Sequence, residues 1–300
     1  LGQDVRRSGT GGSCSGDEGV VGLCVGHGAC RSLAIPGRVE FAGPSDYTWP
    51  IFEKGASPRV RGRGLARHKR HMDVCVPQIQ RKINAVVFDF DGTLAHLVLD
   101  FDQMKGMVAD IAARWLPVRP TPDGLPALEW IAALAAEVDV RRPGQGDDFS
   151  QAAHAAVQDM EVAAAARGGL FPFAREVLSR LSGCGVATAI ITRNCAAAVG
   201  MVFPDAASYC RAVLPREAVP RVKPDPGHLW AALALLKAPA AEALMVGDHP
   251  LDMETGRRAG VATAGVATGR VSVEELALAG ADYTAADAKE LVASLFGGCP

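Results

Sequence analysis

No stretch of this 300-residue chain approaches the roughly 18 to 20 uninterrupted apolar residues that a membrane-spanning helix needs, so a membrane partner is not expected. The N-terminus also lacks the basic-then-apolar pattern of a secretory signal, and a cytoplasmic location is the resulting expectation. A surplus of positive charge is missing too: the formal net charge is −2, which gives no reason to expect nucleic acid. The eight cysteines, at 14, 24, 30, 75, 184, 195, 210 and 299, are scattered along a long chain, so they read as reduced thiols rather than a disulfide framework. What is present is 49% hydrophobic and 21% charged residues, the balance of a soluble globular chain with a real core.

The first 71 residues differ from the rest. "LGQDVRRSGTGGSCSGDEGVVGLCVGHGACRS" is rich in Gly, Ser and Arg, shows neither helical nor alternating apolar periodicity, and leads into the basic stretch "KGASPRVRGRGLARHKRH". Residues 1–71 carry 11 Lys/Arg against 6 Asp/Glu, whereas residues 72–300 carry 20 against 27. This composition predicts disorder. Met72 is the first methionine, and the expectation is that the native protein starts at or near it, with upstream sequence translated in frame before it. The competing reading is a zinc site, since Cys24, His27 and Cys30 are spaced C-x2-H-x2-C with Cys14 as a possible fourth ligand. The glycines around them supply almost no apolar shell for such a site.

From Ile83 the chain alternates strand and helix. Strands are expected over 83–88, 186–191, 211–214, 243–246 and 261–266, with helices over 174–181, 196–203, 227–237 and 251–259. Short apolar strands without alternation, separated by helices, predict a doubly wound α/β fold with a parallel sheet covered on both faces, Rossmann-like in kind. Between Leu94 and Phe171 lie about 75 residues with Ala, Leu and Val at helical spacing, too many for a structureless loop. They are expected to form an inserted α-helical cap domain over 97–168, with 72–96 and 169–300 making the core.

In an open parallel sheet, ligands bind beyond the carboxyl ends of the strands. The first strand ends in Asp89-Phe90-Asp91-Gly92-Thr93, the second in Thr192-Arg193-Asn194; Lys223-Pro224 follows the third, and the fourth ends in Gly247-Asp248-His249-Pro250-Leu251-Asp252. These residue types fit phosphoryl transfer, which asks for a nucleophile, a proton donor, a divalent cation and donors for the phosphoryl oxygens. A carboxylate can be the nucleophile. Gly92 supplies freedom for a turn that brings a second carboxylate round, and Asp248 and Asp252 add hard oxygen ligands suited to magnesium.

"DFDGTL", "ITRN", "RVKPDP" and "VGDHPLDMETGRRAG", in this order, resemble the four signature motifs of the haloacid dehalogenase-like hydrolase superfamily, in its phosphatase branch. The similarity covers about residues 83–296. The resemblance implies that Asp89 attacks phosphorus while Asp91 protonates the leaving oxygen and then activates water. It implies Mg²⁺ held by Asp89, the Asp91 carbonyl and Asp248, with Asp252 acting mostly through water. Thr192 and the following backbone N–H would grip the phosphoryl group, Arg193 and Asn194 would belong to the substrate-binding set, and Lys223 would neutralise charge on the phosphoryl group and on Asp89. A helical cap after the first strand implies a small phosphorylated metabolite as substrate, possibly phosphoglycolate, and a monomer or homodimer. There is no room between Thr192 and Lys223 for a second, larger cap.

Alternatives stay open at this point. A phosphosugar mutase shares all four motifs, and a non-catalytic phosphate-binding scaffold would share the fold. A dehalogenase is disfavoured because Asp91 is present, and phosphonate hydrolysis would need a cap lysine, for which Lys105 is the candidate. The fourth motif departs from the commonest form at His249 and Gly256. His249 is a candidate contact for substrate or metal, and His96 for the cavity entrance, each against plain exposure or packing. Cys195 reads as a buried, inert helix residue more than a nucleophile. Lys105, Arg114, Arg119, Arg141, Arg142 and Arg167 are the insertion's candidates for recognising a second anionic group.

Overall fold

The computed structural model describes residues 82–298. The expectations for residues 1–71, for Met72 and for the Cys14, Cys24, His27 and Cys30 group lie outside the described residues. In chain order the elements are β1 (Ala85–Phe88), β2 (Ala95–His96), α1 (Phe101–Ala112), α2 (Ala127–Arg141), α3 (Gly146–Ala165), β3 (Gly169–Leu170), α4 (Ala174–Gly183), β4 (Ala187–Ile191), α5 (Ala196–Val202), β5 (Ala212–Leu214), α6 (Pro226–Leu236), β6 (Ala243–Gly247), α7 (Pro250–Ala259), β7 (Ala262–Val266), α8 (Val273–Leu278), β8 (Tyr283–Ala285) and α9 (Ala288–Phe296).

Six strands form one parallel sheet in the order β5-β4-β1-β6-β7-β8. β1 shows why its sequence is apolar without alternation. Val86 and Phe88 join the cluster built with α4, α5 and α9, through Val177, Leu178, Val199 and Leu291 among others. Ala85 and Val87 point to the opposite face, against Leu229, Leu233 and Leu236 of α6. Both faces are covered by helices, so every residue of β1 is buried and every one is apolar. The doubly wound α/β expectation therefore holds.

The strand and helix boundaries lie within two residues of expectation, and at α6 capping chemistry accounts for the shift. Asp225 accepts from the Gly227 N–H and Pro226 occupies the first turn, so α6 starts one residue early. The chain beyond Val266 adds α8, β8 and α9, which the expected elements did not include, although Ala288, Leu291, Val292, Leu295 and Phe296 of α9 stand at helical apolar spacing. β8 is three half-buried residues at the sheet edge, too short and too mixed to show a strand period.

α1, α2 and α3 share their own hydrophobic cluster, which includes Met104, Val108, Trp130, Ile131, Leu134, Phe149 and Val157. The chain enters and leaves this helical insertion through β2 and β3, a two-residue antiparallel ribbon with Ala95 opposite Leu170 and His96 opposite Gly169. The C-terminal half of α3 also reaches the core, where buried Glu161 accepts from the Cys195 N–H and forms an ion pair with Arg216. Burial pushes the Glu161 carboxyl up, and the Arg216 guanidinium opposes it.

Candidate active site

Asp89 is the first residue past β1, and its N–H still donates to the Val246 carbonyl at 2.8 Å, continuing the strand ladder. Phe90 then turns its ring into the core, fully buried. Such burial of a phenyl ring is worth about 1.5–3 kcal/mol, and it fixes the backbone between the two aspartates. The Phe90 carbonyl accepts from the N–H groups of Leu94 and Ala95, each at 2.9 Å, which closes a tight turn. Gly92 sits inside this turn at φ +82°, and a Cβ there would lie 2.2 Å from Asp248 Oδ2, so glycine is required twice over.

The turn separates the two carboxyl groups. Asp89 Oδ1 accepts from the Phe90 N–H at 2.6 Å and pairs with Lys223 Nζ at 2.7 Å. Asp91 instead turns towards the insertion, where Leu97 N–H donates to its Oδ1 at 2.9 Å. Burial pushes the Asp89 carboxyl up to about 6 against the pull of Lys223. Asp91 goes to about 7, also through burial, with the Leu97 hydrogen bond opposing and the Asp89 charge adding to the rise.

β6 delivers Asp248, and the start of α7 delivers Asp252. Asp252 is 1% exposed and is engaged at both oxygens. Oδ1 takes Lys223 Nζ at 2.6 Å, while Oδ2 accepts from the His249 N–H at 3.2 Å in a reciprocal helix-start arrangement. Burial and the neighbouring Asp89 and Asp252 push Asp248 up to about 8. Asp89, Asp248 and Asp252 bring oxygen atoms within 4.8 Å of one another. Three crowded carboxylates balanced by one ammonium form a donor set of hard oxygens that fits a divalent cation.

Lys223 is itself held from behind. Its N–H donates to Nδ1 of the fully buried His228 at 3.3 Å, which places the proton of the neutral ring on Nε2, 3.0 Å from the Leu214 carbonyl. Burial and the Lys223 charge lower His228 to about 4, so the ring stays neutral. On β4's end, Thr192 is buried and its Oγ1 accepts from the Asn194 N–H at 3.1 Å. Asn194 uses Oδ1 for the Cys195 N–H, leaving its buried Nδ2 without a partner among the described residues. Arg193 is paired with Glu129 of α2 and also donates to the Lys223 carbonyl.

All eight expected residues, Asp89, Asp91, Thr192, Arg193, Asn194, Lys223, Asp248 and Asp252, line one cavity of about 510 Å³ between the strand ends and the insertion. His96 and His249 line it from exposed positions; His249 starts α7, with Nδ1 accepting from the Leu251 N–H. Cys195 is buried at the start of α5 and burial pushes its thiol up to about 11, which keeps it protonated. Of the insertion's basic residues, Lys105 lines the cavity. Arg119 pairs with Asp110, Arg141 with Glu137, and Arg142 donates to the Arg114 carbonyl; Arg114 and Arg167 are exposed.

Glu129, Glu161, His228 and Arg270 went unread in the sequence. Arg270 lies on the loop after β7, stacks over the Phe101 ring at 5.6 Å and donates to the Leu99 carbonyl at 3.0 Å. None of the four carries a local signal, because each depends on which distant segment it meets.

Together the sheet and its acidic edge define a Rossmann-like α/β protein whose strand ends carry a cation-ready carboxylate cluster. A family model described as haloacid dehalogenase-like hydrolase matches residues 141–266. A phosphoglycolate phosphatase of Pseudomonas savastanoi pv. phaseolicola is 30% identical over 196 residues, covering 61% of this chain and 69% of that one. A protein of Caldanaerobacter subterraneus subsp. tengcongensis, named as the pyrophosphatase PpaX, is 35% identical over 127 residues, and the match spans 42% of this chain and 57% of that relative. Among solved structures, a hydrolase from Pseudomonas syringae superposes with a TM-score of 0.53 at 22% identity, covering 72% of this chain and all of the other, and supports the fold alone. The chain belongs to the haloacid dehalogenase-like hydrolase family.

Proposed function

We propose that this chain is a Mg²⁺-dependent phosphomonoester hydrolase that works through an aspartyl-phosphate on Asp89. The observation that carries the reading is the contrast between two aspartates one residue apart. Asp89 is ion-paired within the carboxylate cluster, whereas Asp91 is turned out of it and raised to about 7. An ionised carboxylate suits attack on phosphorus, and a protonated one suits the leaving group.

In this reading Asp89 Oδ attacks phosphorus, the bond from phosphorus to the ester oxygen breaks, and Asp91 gives its proton to that oxygen. Asp91, now ionised, takes a proton from water as the water attacks the aspartyl-phosphate, releasing phosphate and restoring Asp89. Thr192 and Asn194 hold phosphoryl oxygens, with the unpartnered Asn194 Nδ2 as a ready donor. Lys223 offsets charge on Asp89 throughout.

Asp89, Asp248 and the Asp91 carbonyl would hold the ion, with Asp252 acting through water, which agrees with both of its oxygens being engaged. Bound there, Mg²⁺ shields the repulsion between carboxylates and phosphate. The segment 97–168 is the cap of this reading and 72–96 with 169–300 its core, and a cavity of about 510 Å³ favours a small phosphorylated substrate. The names of the relatives support a phosphatase, phosphoglycolate among their substrates.

The test is phosphate release from 4-nitrophenyl phosphate with and without Mg²⁺, using Asp89→Asn as control. Turnover that needs the metal and drops more than about a thousandfold in the variant is expected. An active Asp89→Asn protein would falsify the assignment.

A further inference from the structure

Four lysine and arginine side chains line the cavity: Lys105, Arg193, Lys223 and Arg270. Two of them are neutralised by carboxylates. Lys223 is shared by Asp89 and Asp252, and Arg193 is gripped by both oxygens of Glu129. The other two bond only to backbone. Lys105 Nζ donates to the Asp123 carbonyl at 2.8 Å and Arg270 Nη2 to the Leu99 carbonyl at 3.0 Å, and neither forms an ion pair among the described residues. A carbonyl takes one donor from each and none of the charge, so both side chains keep further N–H groups for an anion. The nearby carboxylates of Asp100 and Asp123 are held instead at the N–H groups of Gln103 and Leu125.

The two cations share one wall. Phe101 and Lys105 stand one turn apart on α1, so they lie on the same face of that helix, and both line the cavity. The Arg270 guanidinium stacks over the Phe101 ring at 5.6 Å, which places it beside that face. This wall adjoins Asp91 rather than Asp89. Leu97 N–H donates to Asp91, and two residues on the Leu99 carbonyl accepts from Arg270, so a hinge segment of at most about 7 Å joins the two contacts. Burial holds the Asp91 carboxyl up, and the Arg270 charge is among the influences pulling it down, in keeping with that proximity. Lys223, by contrast, sits on Asp89. Whatever is attached to the oxygen that Asp91 protonates therefore lies on the side of Lys105 and Arg270.

We infer that Lys105 and Arg270 form a subsite for a second oxyanion, carried on the leaving-group half of the substrate. This inference rests on the phosphomonoester reading and deepens it, by assigning the residues that select the alcohol. Two cations on separate segments, one in the insertion and one on the loop after β7, match a phosphoryl dianion with its three acceptor oxygens. A carboxylate takes the same donors with about half the charge. Arg270 is exposed, so solvent trims the gain, and about tenfold in kcat/KM over an uncharged alcohol is the scale expected.

The experiment compares kcat/KM, with Mg²⁺ in excess, for three esters of one chain length: propyl phosphate, 3-phosphooxypropanoate and propane-1,3-diyl bisphosphate. At least one acidic ester is expected to exceed propyl phosphate by about tenfold or more, and the one that leads identifies the oxyanion as carboxylate or phosphoryl. Lys105→Gln and Arg270→Gln are each expected to remove most of that preference. The readout is the ratio of acidic to neutral ester, because a merely structural role would lower all three together and leave the ratio alone. Lys105 is half-buried on the helix surface, and its variant decides the matter if Arg270→Gln does not fold. A ratio near one in the parent protein, or a preference that Lys105→Gln leaves intact, overturns the inference, while Asp89-dependent hydrolysis of 4-nitrophenyl phosphate keeps the phosphatase reading. If no ester is hydrolysed, the phosphatase reading fails, and calorimetry with the same three esters decides the inference separately. Tighter binding of an acidic ester that is lost in Lys105→Gln then supports the subsite, and equal binding of all three overturns it.

Discussion

Arg193 and Glu129 meet in a two-point ion pair, with Nη1 2.7 Å from Oε1 and Nη2 2.6 Å from Oε2, and this pair joins the loop after β4 to the first turn of α2. It ties the strand-end loop that carries Thr192 to the insertion. Both side chains retain some solvent, 20% and 29% exposed, so screening discounts the pair. A double-mutant cycle of Arg193→Ala and Glu129→Ala, followed by urea denaturation, is expected to give a coupling of about 1 kcal/mol. Additive effects of the two changes would show that the contact contributes nothing.

The two-aspartate mechanism makes a separate prediction for Asp91→Asn. A good leaving group needs little protonation, so the first step with 4-nitrophenyl phosphate should survive while hydrolysis of the phosphoenzyme stalls. Stopped-flow absorbance is expected to show a burst of about one equivalent of nitrophenol, then turnover slowed by about 10²–10⁴. Unchanged steady-state turnover would remove Asp91 from the role of acid and base.

His228 links stability to pH. Its folded-state value is lowered to about 4 from 6.5, so the unfolded chain binds the proton first as pH falls. The stability held in the neutral ring is complete above about 6.5 and is lost as pH drops towards 4, at most by about 3 kcal/mol. Denaturation curves at pH 7 and pH 4.5 should therefore differ more for the parent than for His228→Gln. Comparing the two proteins separates this effect from the titrating carboxylates, and identical pH slopes would refute it.

Gly92→Ala adds a methyl group at φ +82° and against Asp248. Backbone strain of this kind costs about 1–3 kcal/mol, before any displacement of the aspartate. Gly200→Ala is the control, because its added Cβ meets nothing within 4 Å. A lowered urea midpoint is expected for the first and an unchanged or raised one for the second, where alanine suits the interior of α5 better than glycine; equal midpoints would argue against the strain.

How far the sequence revealed this arrangement depended on distance along the chain. Asp89, Asp248 and Thr192 were legible because each directly follows a short apolar strand, a purely local pattern. Ser272 and Glu275 also spell a helix start, and their side chains do bond reciprocally at the head of α8, so that element had a readable signal outside the apolar pattern. β8 had none. Glu129 lies 64 residues from Arg193, and Glu161 lies 55 from Arg216, separations at which spacing carries no information about contact. Lys223 was legible as a charge beside the site, but its bond to Asp252 and its support by His228 needed the folded loops.

Phe90 gives the two aspartates a common anchor in the hydrocarbon interior. Their separation is set by how deeply one phenyl ring seats among side chains that never touch water. The ruler of the site thus lies in oil, and its graduations are methyl groups. A silent-looking change of volume beneath that ring is therefore a change of alignment at the surface above it, and screens for altered chemistry belong as much in the core as around the cavity.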